Sequence, residues 1–211
     1  MKLYKFKGPE QADHVFDIIL NQRLYCAPVD DLNDIAEGKF AYSYKFSHME
    51  KANNFSDKLN VALKKMRVCS LTSVYDNFLL WSHYASGFKG VAIEIDLPET
   101  DLIKISYDGG LFAGFKFQPG MNSIESAREI LSKKSPEWSY EEEFRIVQNE
   151  PYYSFEKQFL KVILGARMNS ALFDAIRIVC NHLEIECVSV GLGDMGMDLD
   201  YVGPYRDAVG Q

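Results

Sequence analysis

The sequence predicts an α+β fold: one mixed domain with a strongly bent, mostly antiparallel sheet flanked by helices. Three observations predict it. The chain has 211 residues, which fits one full domain better than two, and 47% of them are apolar and 13% aromatic, enough for a sizeable core. Strand-like runs and helical spacings are interspersed along it. No internal repeat or low-complexity linker divides it, so residues 1–211 read as a single domain with a Gly- and Asp-rich tail from about residue 192.

Lys2 to Lys7 (KLYKFK) alternates apolar and basic positions, as a short strand does. Pro9 opens an amphipathic helix that groups Val15, Ile18, Ile19 and Leu20 on one face. Leu24 to Ala27 reads as a strand stopped by Pro28, and the acidic loop DDLNDIAEG follows from Asp30 to Gly38. A polar, mostly exposed helix is expected from about Ser47 to Lys65, then a buried strand from Arg67 to Ser73 (RVCSLTS). Asp76 is a candidate cap for the helix carrying Leu79, Leu80, Trp81 and Tyr84. Val91 to Asp96 (VAIEID) is the clearest strand.

Two strands are expected within Leu102 to Phe117, broken by Gly109 and Gly110, and a helix from Asn122 to Lys134. Further strands are expected at Glu142 to Gln148, Phe159 to Leu164 and Cys187 to Gly191, with a helix from Ser170 to His182.

The formal net charge is -7, which argues against broad electrostatic binding to nucleic acid or an anionic membrane. The basic clusters, Lys64, Lys65 and Arg67 and then Lys133 and Lys134, read as helix ends. Four cysteines (26, 69, 180 and 187) form no CxxC pair. With no signal peptide and no apolar run long enough for a membrane span, reduced, mostly buried thiols in a soluble cytoplasmic protein are expected.

Several familiar signatures lead nowhere. GLGDMG (Gly191 to Gly196) has dinucleotide spacing, but too little chain follows for the helix and strand such a site needs. Asp194, Asp198 and Asp200 lack the ligand pattern of a calcium loop. The histidines at 14, 48, 83 and 182 have no metal-ligand spacing, so no metal is expected. Neither a GxSxG elbow nor a Walker A loop is present.

What remains is WSYEEEFRIV, from Trp138 to Val147. Strand residues alternate faces, so Glu141, Glu143 and Arg145 share one face and Glu142, Phe144 and Ile146 the other. Such a run is usually a solvated edge strand. The functional alternative is a carboxylate pair in a cleft, suited to a glycosidic carbon: one carboxylate supports an oxocarbenium-like transition state and the other steers the acceptor. Trp138 and Tyr140 offer aromatic surface for a ring, or core anchors. Trp81 and Tyr84 lie three apart on one helical face, which core packing also explains. Ser70, Thr72 and Ser73 end a strand in hydroxyls that either bond the local backbone or line a nucleotide pocket.

Taken in order, Tyr4-Lys5-Phe6, Asn33-Asp34 with Glu37, WSHYA (Trp81 to Ala85) with Gly90, and Trp138 with Tyr140-Glu141 and Glu143-Phe144-Arg145 resemble a widespread bacterial domain-of-unknown-function family (DUF twenty-nine seventy-one). Lys161 to Gly165 (KVILG) extends the resemblance over most of the chain. That family usually has a proline after the Asn-Asp pair, where this chain has Ile35.

The motif order is also similar, more distantly, to that of ADP-ribosyltransferases, with Lys5, Ser70 to Ser73 and Glu141 to Glu143 in the three motif places. Lys5 replaces the expected arginine or histidine, and Leu71 interrupts the hydroxyl motif. This second resemblance implies an NAD-consuming transferase, of the kind found in bacterial toxins and phage-defence effectors, with NAD as substrate and no metal. Glu143 would bind the nicotinamide-side ribose and stabilise the developing cation, and Glu141 would orient the acceptor. Tyr4, Lys5, Ser70, Thr72, Trp81 and Tyr84 would contact NAD. Asn33, Asp34, Glu37, Trp138 and Arg145 would support them. The acceptor would be a protein, a nucleic-acid base or water, and an antitoxin or other regulator is an expected partner. Two other readings stand beside it: a non-catalytic module binding a nucleotide or partner, and a nucleotide N-glycosidase.

Overall fold

The computed structural model describes residues 1–108, 113–156, 160–193 and 196–199. In chain order the elements are β1 (Lys2–Lys7), α1 (Ala12–Asn21), β2 (Arg23–Tyr25), β3 (Ala27–Pro28), β4 (Phe40–Ser43), α2 (Met49–Lys65), β5 (Arg67–Thr72), α3 (Phe78–Tyr84) and β6 (Val91–Asp96). There follow β7 (Ile103–Lys104), β8 (Ala113–Lys116), α4 (Ser123–Ile130), β9 (Glu143–Gln148), β10 (Tyr152–Ser154), β11 (Leu160–Gly165), α5 (Ser170–His182), β12 (Glu186–Gly193) and β13 (Gly196–Leu199). The fold is mixed α+β, as the sequence predicts.

Two compact units emerge, each assembled from separated stretches. The first comprises Met1–Leu24, Leu71–Thr100 and Ser154–Gln211, and the second Tyr25–Ser70 and Asp101–Tyr153. The sequence reads as one domain because both units draw on early and late segments, so no shift in composition marks a boundary.

In the first unit the strands run β13-β12-β11-β6-β1. All these pairs are antiparallel except β11 with β12. The end of β5 adds to this edge, with Tyr4 opposite Thr72. Leu3, Ile93 and Ile95 are fully buried, and α1, which packs on β1, buries Val15, Ile18 and Ile19. Leu20 is 53% exposed, because its 100° step from Ile19 carries it off that face. Asn77 rather than Asp76 caps α3, its side chain accepting from the Leu79 N–H at 2.9 Å. Of the GLGDMG segment, Gly191, Leu192 and Gly193 lie in β12 and Gly196 in β13, with Gly193 opposite Gly196. Asp194, Met195, Asp200 and the rest of the tail lie outside the described residues, as do Gly109, Gly110 and Phe159.

In the second unit, β5, β9 and β7 are neighbours in that order, and β3 pairs with β5. A separate parallel pair joins β4 to β8. The helix α2 is mostly exposed, as expected, but carries one buried stripe. Ala52, Phe55, Leu59 and Leu63 recur at helical spacing and are buried with Ile130 and Leu131 near α4 and Val147 of β9. Polar residues dominate its composition, and that masked the stripe. The helix α4 is shorter than expected: Asn122 caps it and it ends at Ile130, leaving Lys133 and Lys134 beyond it. Among the described residues, no helix is long and apolar enough to cross a membrane.

Candidate functional site

Glu141 and Glu143 do not lie on one continuous strand. Pro136 starts a 3-10 helix that runs to Glu141, and Glu142 then takes a left-handed conformation with φ 42°. Only at Glu143 does β9 begin. Strand alternation therefore places Glu143 and Arg145 on one face, and a helical turn delivers Glu141. The expectation that Glu141 continues the strand row is corrected by this turn. Glu142, at its corner, is exposed.

The two carboxylates nevertheless converge on a residue the sequence reading assigns to a helix end. The Lys134 ammonium donates to Glu141 Oε2 at 2.6 Å and to Glu143 Oε2 at 3.0 Å. It also stands 4.8 Å from the centre of the Trp138 ring, a cation–π contact. Lys134 reaches this position because the chain after α4 is strapped down: its N–H donates to the Ser106 carbonyl at 3.1 Å. Lys133, its neighbour, pairs instead with Glu129 one turn back.

Arg145 ties the other side. Its Nε donates to Glu143 Oε1 at 2.6 Å and its Nη2 to Glu143 Oε2 at 3.1 Å. The same guanidinium forks onto Glu37, with Nη1 to Oε2 at 2.9 Å and Nη2 to Oε1, and Nη1 also donates to the Leu131 carbonyl at 2.9 Å. Glu37 is delivered by the loop before β4. There Asp34 accepts from the Ala36 N–H through its side chain and from the Glu37 N–H through its carbonyl. Gly38 completes the turn at φ +69°, where an added Cβ would strike Val29 at 2.7 Å. Ile35 is 90% exposed.

Three carboxylates (Glu37, Glu141, Glu143) thus surround two cations (Lys134, Arg145), all within the second unit and all buried. Glu143 is 2% and Arg145 1% exposed. Burial alone would raise the Glu143 carboxyl. The charge and hydrogen bonds of Arg145, with Lys134 and the Ser70 hydroxyl, overcome it and hold the carboxyl at about 2. Burial pulls Lys134 down, but the charges of Glu143 and Glu141 outweigh it and leave the ammonium above its ordinary value. The Tyr107 hydroxyl, pushed up to about 12 mainly by burial, accepts from the Glu143 N–H at 2.8 Å.

The other sequence candidates divide between the units. Ser70 lies with the cluster through its bond to Glu143, and Trp138 lies against Lys134. Tyr4, Lys5, Thr72, Trp81 and Tyr84 belong to the first unit. Tyr4 donates to Glu94 Oε2 at 2.9 Å, and Thr72 accepts from the Val74 N–H at 3.2 Å, a local turn bond. Trp81 is fully enclosed. It stacks on Phe88 with centroids 4.9 Å apart, meets Phe6 edge-on at 5.1 Å and donates to the Tyr75 carbonyl. It is a core anchor, and Tyr84 is the half-buried aromatic of that helix.

Lys134 and Tyr107 are the members that sequence reasoning misses. Pro136 after the Lys-Lys pair, ending the helical run, is the one signal that Lys134 sits past the helix. Among the described residues, no group of His, Cys, Asp and Glu is arranged to hold a metal ion. Compared with known families, curated proteins and solved structures, the chain matches none.

Proposed function

We propose that the chain is an NAD-consuming, ADP-ribosyltransferase-like enzyme centred on Glu141, Glu143 and Lys134. The observation that supports this reading is two carboxylates and an aromatic face gathered around one cation, at 2.6, 3.0 and 4.8 Å from the Lys134 ammonium. Cleaving the nicotinamide–ribose bond sends its electron pair to nicotinamide and leaves positive charge on the ribose. Surroundings that hold an ammonium ion suit that charge for the same electrostatic reason. Glu143, held ionised, serves as a fixed anion rather than a proton carrier, while Glu141 orients the acceptor whose lone pair closes on the anomeric carbon.

Glu143 already accepts from Arg145 twice, from Lys134 and from Ser70, which fills the roughly four sites a carboxylate offers. A ribose hydroxyl reaches it by taking the place of Lys134, so Lys134 is the group that moves. A second reading, a non-catalytic nucleotide- or partner-binding module, is favoured by the same saturation together with the cluster's near-complete burial.

Purified protein incubated with NAD, with and without cell lysate, separates the readings. The transferase reading expects nicotinamide release and transfer of label to an acceptor. Release without transfer would indicate water as acceptor, a glycohydrolase. Glu143→Gln should lower turnover by about 10²–10³-fold, the effect of losing one transition-state stabiliser. No consumption of NAD by the folded wild-type protein under either condition sinks the enzyme reading and leaves the binding module.

A further inference from the structure

We propose that the ribbon of β4 and β8, with the residues that leave it, is a docking surface for single-stranded nucleic acid. The surface lies in the second unit and does not depend on the transferase reading. β4 and β8 run parallel, with Tyr42 opposite Phe115 and Ser43 opposite Lys116. Parallel strands end on the same side, so Tyr44, Lys45 and Phe46 leave β4 beside Lys116. There the Phe117 N–H donates to the Ser43 carbonyl at 2.8 Å. Alternation divides the ribbon. Phe40, Tyr42, Ala113 and Phe115 pack on the core around α2, and Ala41, Ser43, Gly114 and Lys116 are exposed. A Cβ added to Gly114 would meet nothing within 4 Å, so that outer face is low and open.

The aromatic row runs on past the core. Phe115 stacks on Tyr42 with centroids 5.8 Å and planes 15° apart, and Tyr42 meets Tyr44 at 5.8 Å. Tyr44 is 39% exposed, and Phe46, which opens the short helical turn Phe46–His48, is 86% exposed. Residues 39–51 and 113–118 hold four lysines (39, 45, 51 and 116) and one carboxylate, Glu50, in a chain whose formal net charge is -7. All four lysines are exposed. Lysine is depleted at protein–protein interfaces. Rings interleaved with cations instead suit a flexible polyanion that carries bases: the rings stack on bases and the ammonium groups meet phosphates. The negative charge of the rest of the chain opposes extended contact, so the strand bound is short.

Labelled oligodeoxythymidine and oligouridine of about twelve nucleotides are titrated with the full chain, and binding is read by fluorescence anisotropy at ~50 mM salt. Both should bind, more weakly at ~200 mM salt. Phe46→Ala should weaken binding about 5- to 100-fold, the loss of one stacked base, and Phe46→Trp should retain it. The Phe46 ring is solvated, so its removal leaves the fold intact, which circular dichroism checks. Lys45→Ala combined with Lys116→Ala should reduce the log–log salt slope by about one. The proposal is overturned if neither oligonucleotide binds folded wild-type protein at ~100 μM, or if Phe46→Ala binds as tightly as the wild type. It also fails if the oligonucleotides do not bind and Phe46→Ala instead dissociates a dimer, which makes the face a protein interface. Binding to anionic vesicles without binding to either oligonucleotide overturns it too.

Discussion

The cluster around Arg145 and the packing around Trp81 are equally buried and are held by opposite means. Arg145 is 1% and Trp81 0% exposed. Around Trp81 the contacts are aromatic faces and edges, and a single indole bond to a carbonyl satisfies its one polar atom. That packing even holds Phe88 at φ 67°, a left-handed conformation costly for a bulky side chain. Around Arg145 the guanidinium bonds to Glu37, Glu143 and the Leu131 carbonyl, and the cluster's three carboxylates stay together only while both cations remain among them. Apolar packing degrades with lost volume; an ion cluster fails by lost charge balance. An isolated aromatic core performs no chemistry, whereas a cluster of ionised groups in a dry site is costly to build and is the natural place to look for function.

The largest break in this comparison should come from Arg145→Met. It keeps much of the volume but leaves Glu37 and Glu143 buried with Lys134 as the nearest cation. Loss of about 3–5 kcal/mol is expected from urea unfolding, the cost of an uncompensated buried charge. A loss below about 1 kcal/mol would mean the cluster is wetter or looser than its contacts indicate.

Trp81→Ala should cost a similar or slightly smaller amount, about 3–5 kcal/mol, through the cavity left beside Phe6 and Phe88. Here the comparison sharpens, because Trp81→Phe should recover much of the loss while no neutral residue should rescue Arg145. If Arg145→Met is tolerated better than Trp81→Phe, the contrast between the two regions is wrong.

The smallest effect is the acid limb. The Glu143 carboxyl titrates at about 2 in the fold, below its ordinary 4.5, so its ion pairs stabilise above about pH 4.5, and that stability is lost as pH falls towards 2. The loss should be on the order of a few kcal/mol, visible as a falling thermal midpoint across that window. Glu143→Gln should flatten the limb, and Trp81→Phe should leave it unchanged. An acid limb of the same depth in Glu143→Gln would move its origin to other carboxylates.

Local pattern carried much of the fold. β1, β6 and α5 have the bounds that the sequence predicts; in α5 the buried Phe173, Ile176 and Cys180 recur at helical spacing, whereas β6 buries Val91, Ala92, Ile93 and Ile95, on both faces of a central strand, and β1 buries Leu3 and Phe6. β4 and β10 escaped notice because they are short and half exposed, so alternation has little to act on. The stripe of α2 was hidden by its polar majority. In the site, Glu141, Glu143, Arg145 and Glu37 stand out in the sequence by type and spacing. Their partner Lys134 does not, because a lysine beside a lysine reads as a solvated pair until the fold buries only one of them.

WSYEEEFRIV by itself determined that a strand starts near the glutamates and that Glu143 and Arg145 share its face, since a period of two residues is a local property of the backbone. The tertiary structure decided the rest. A left-handed turn at Glu142 swings Glu141 off the strand, Ser106 straps Lys134 into place, and the loop ending at Gly38 brings Glu37 to Arg145 from 108 residues away. Charge pairing at such separation depends on where the chain returns in space, and no local period records that.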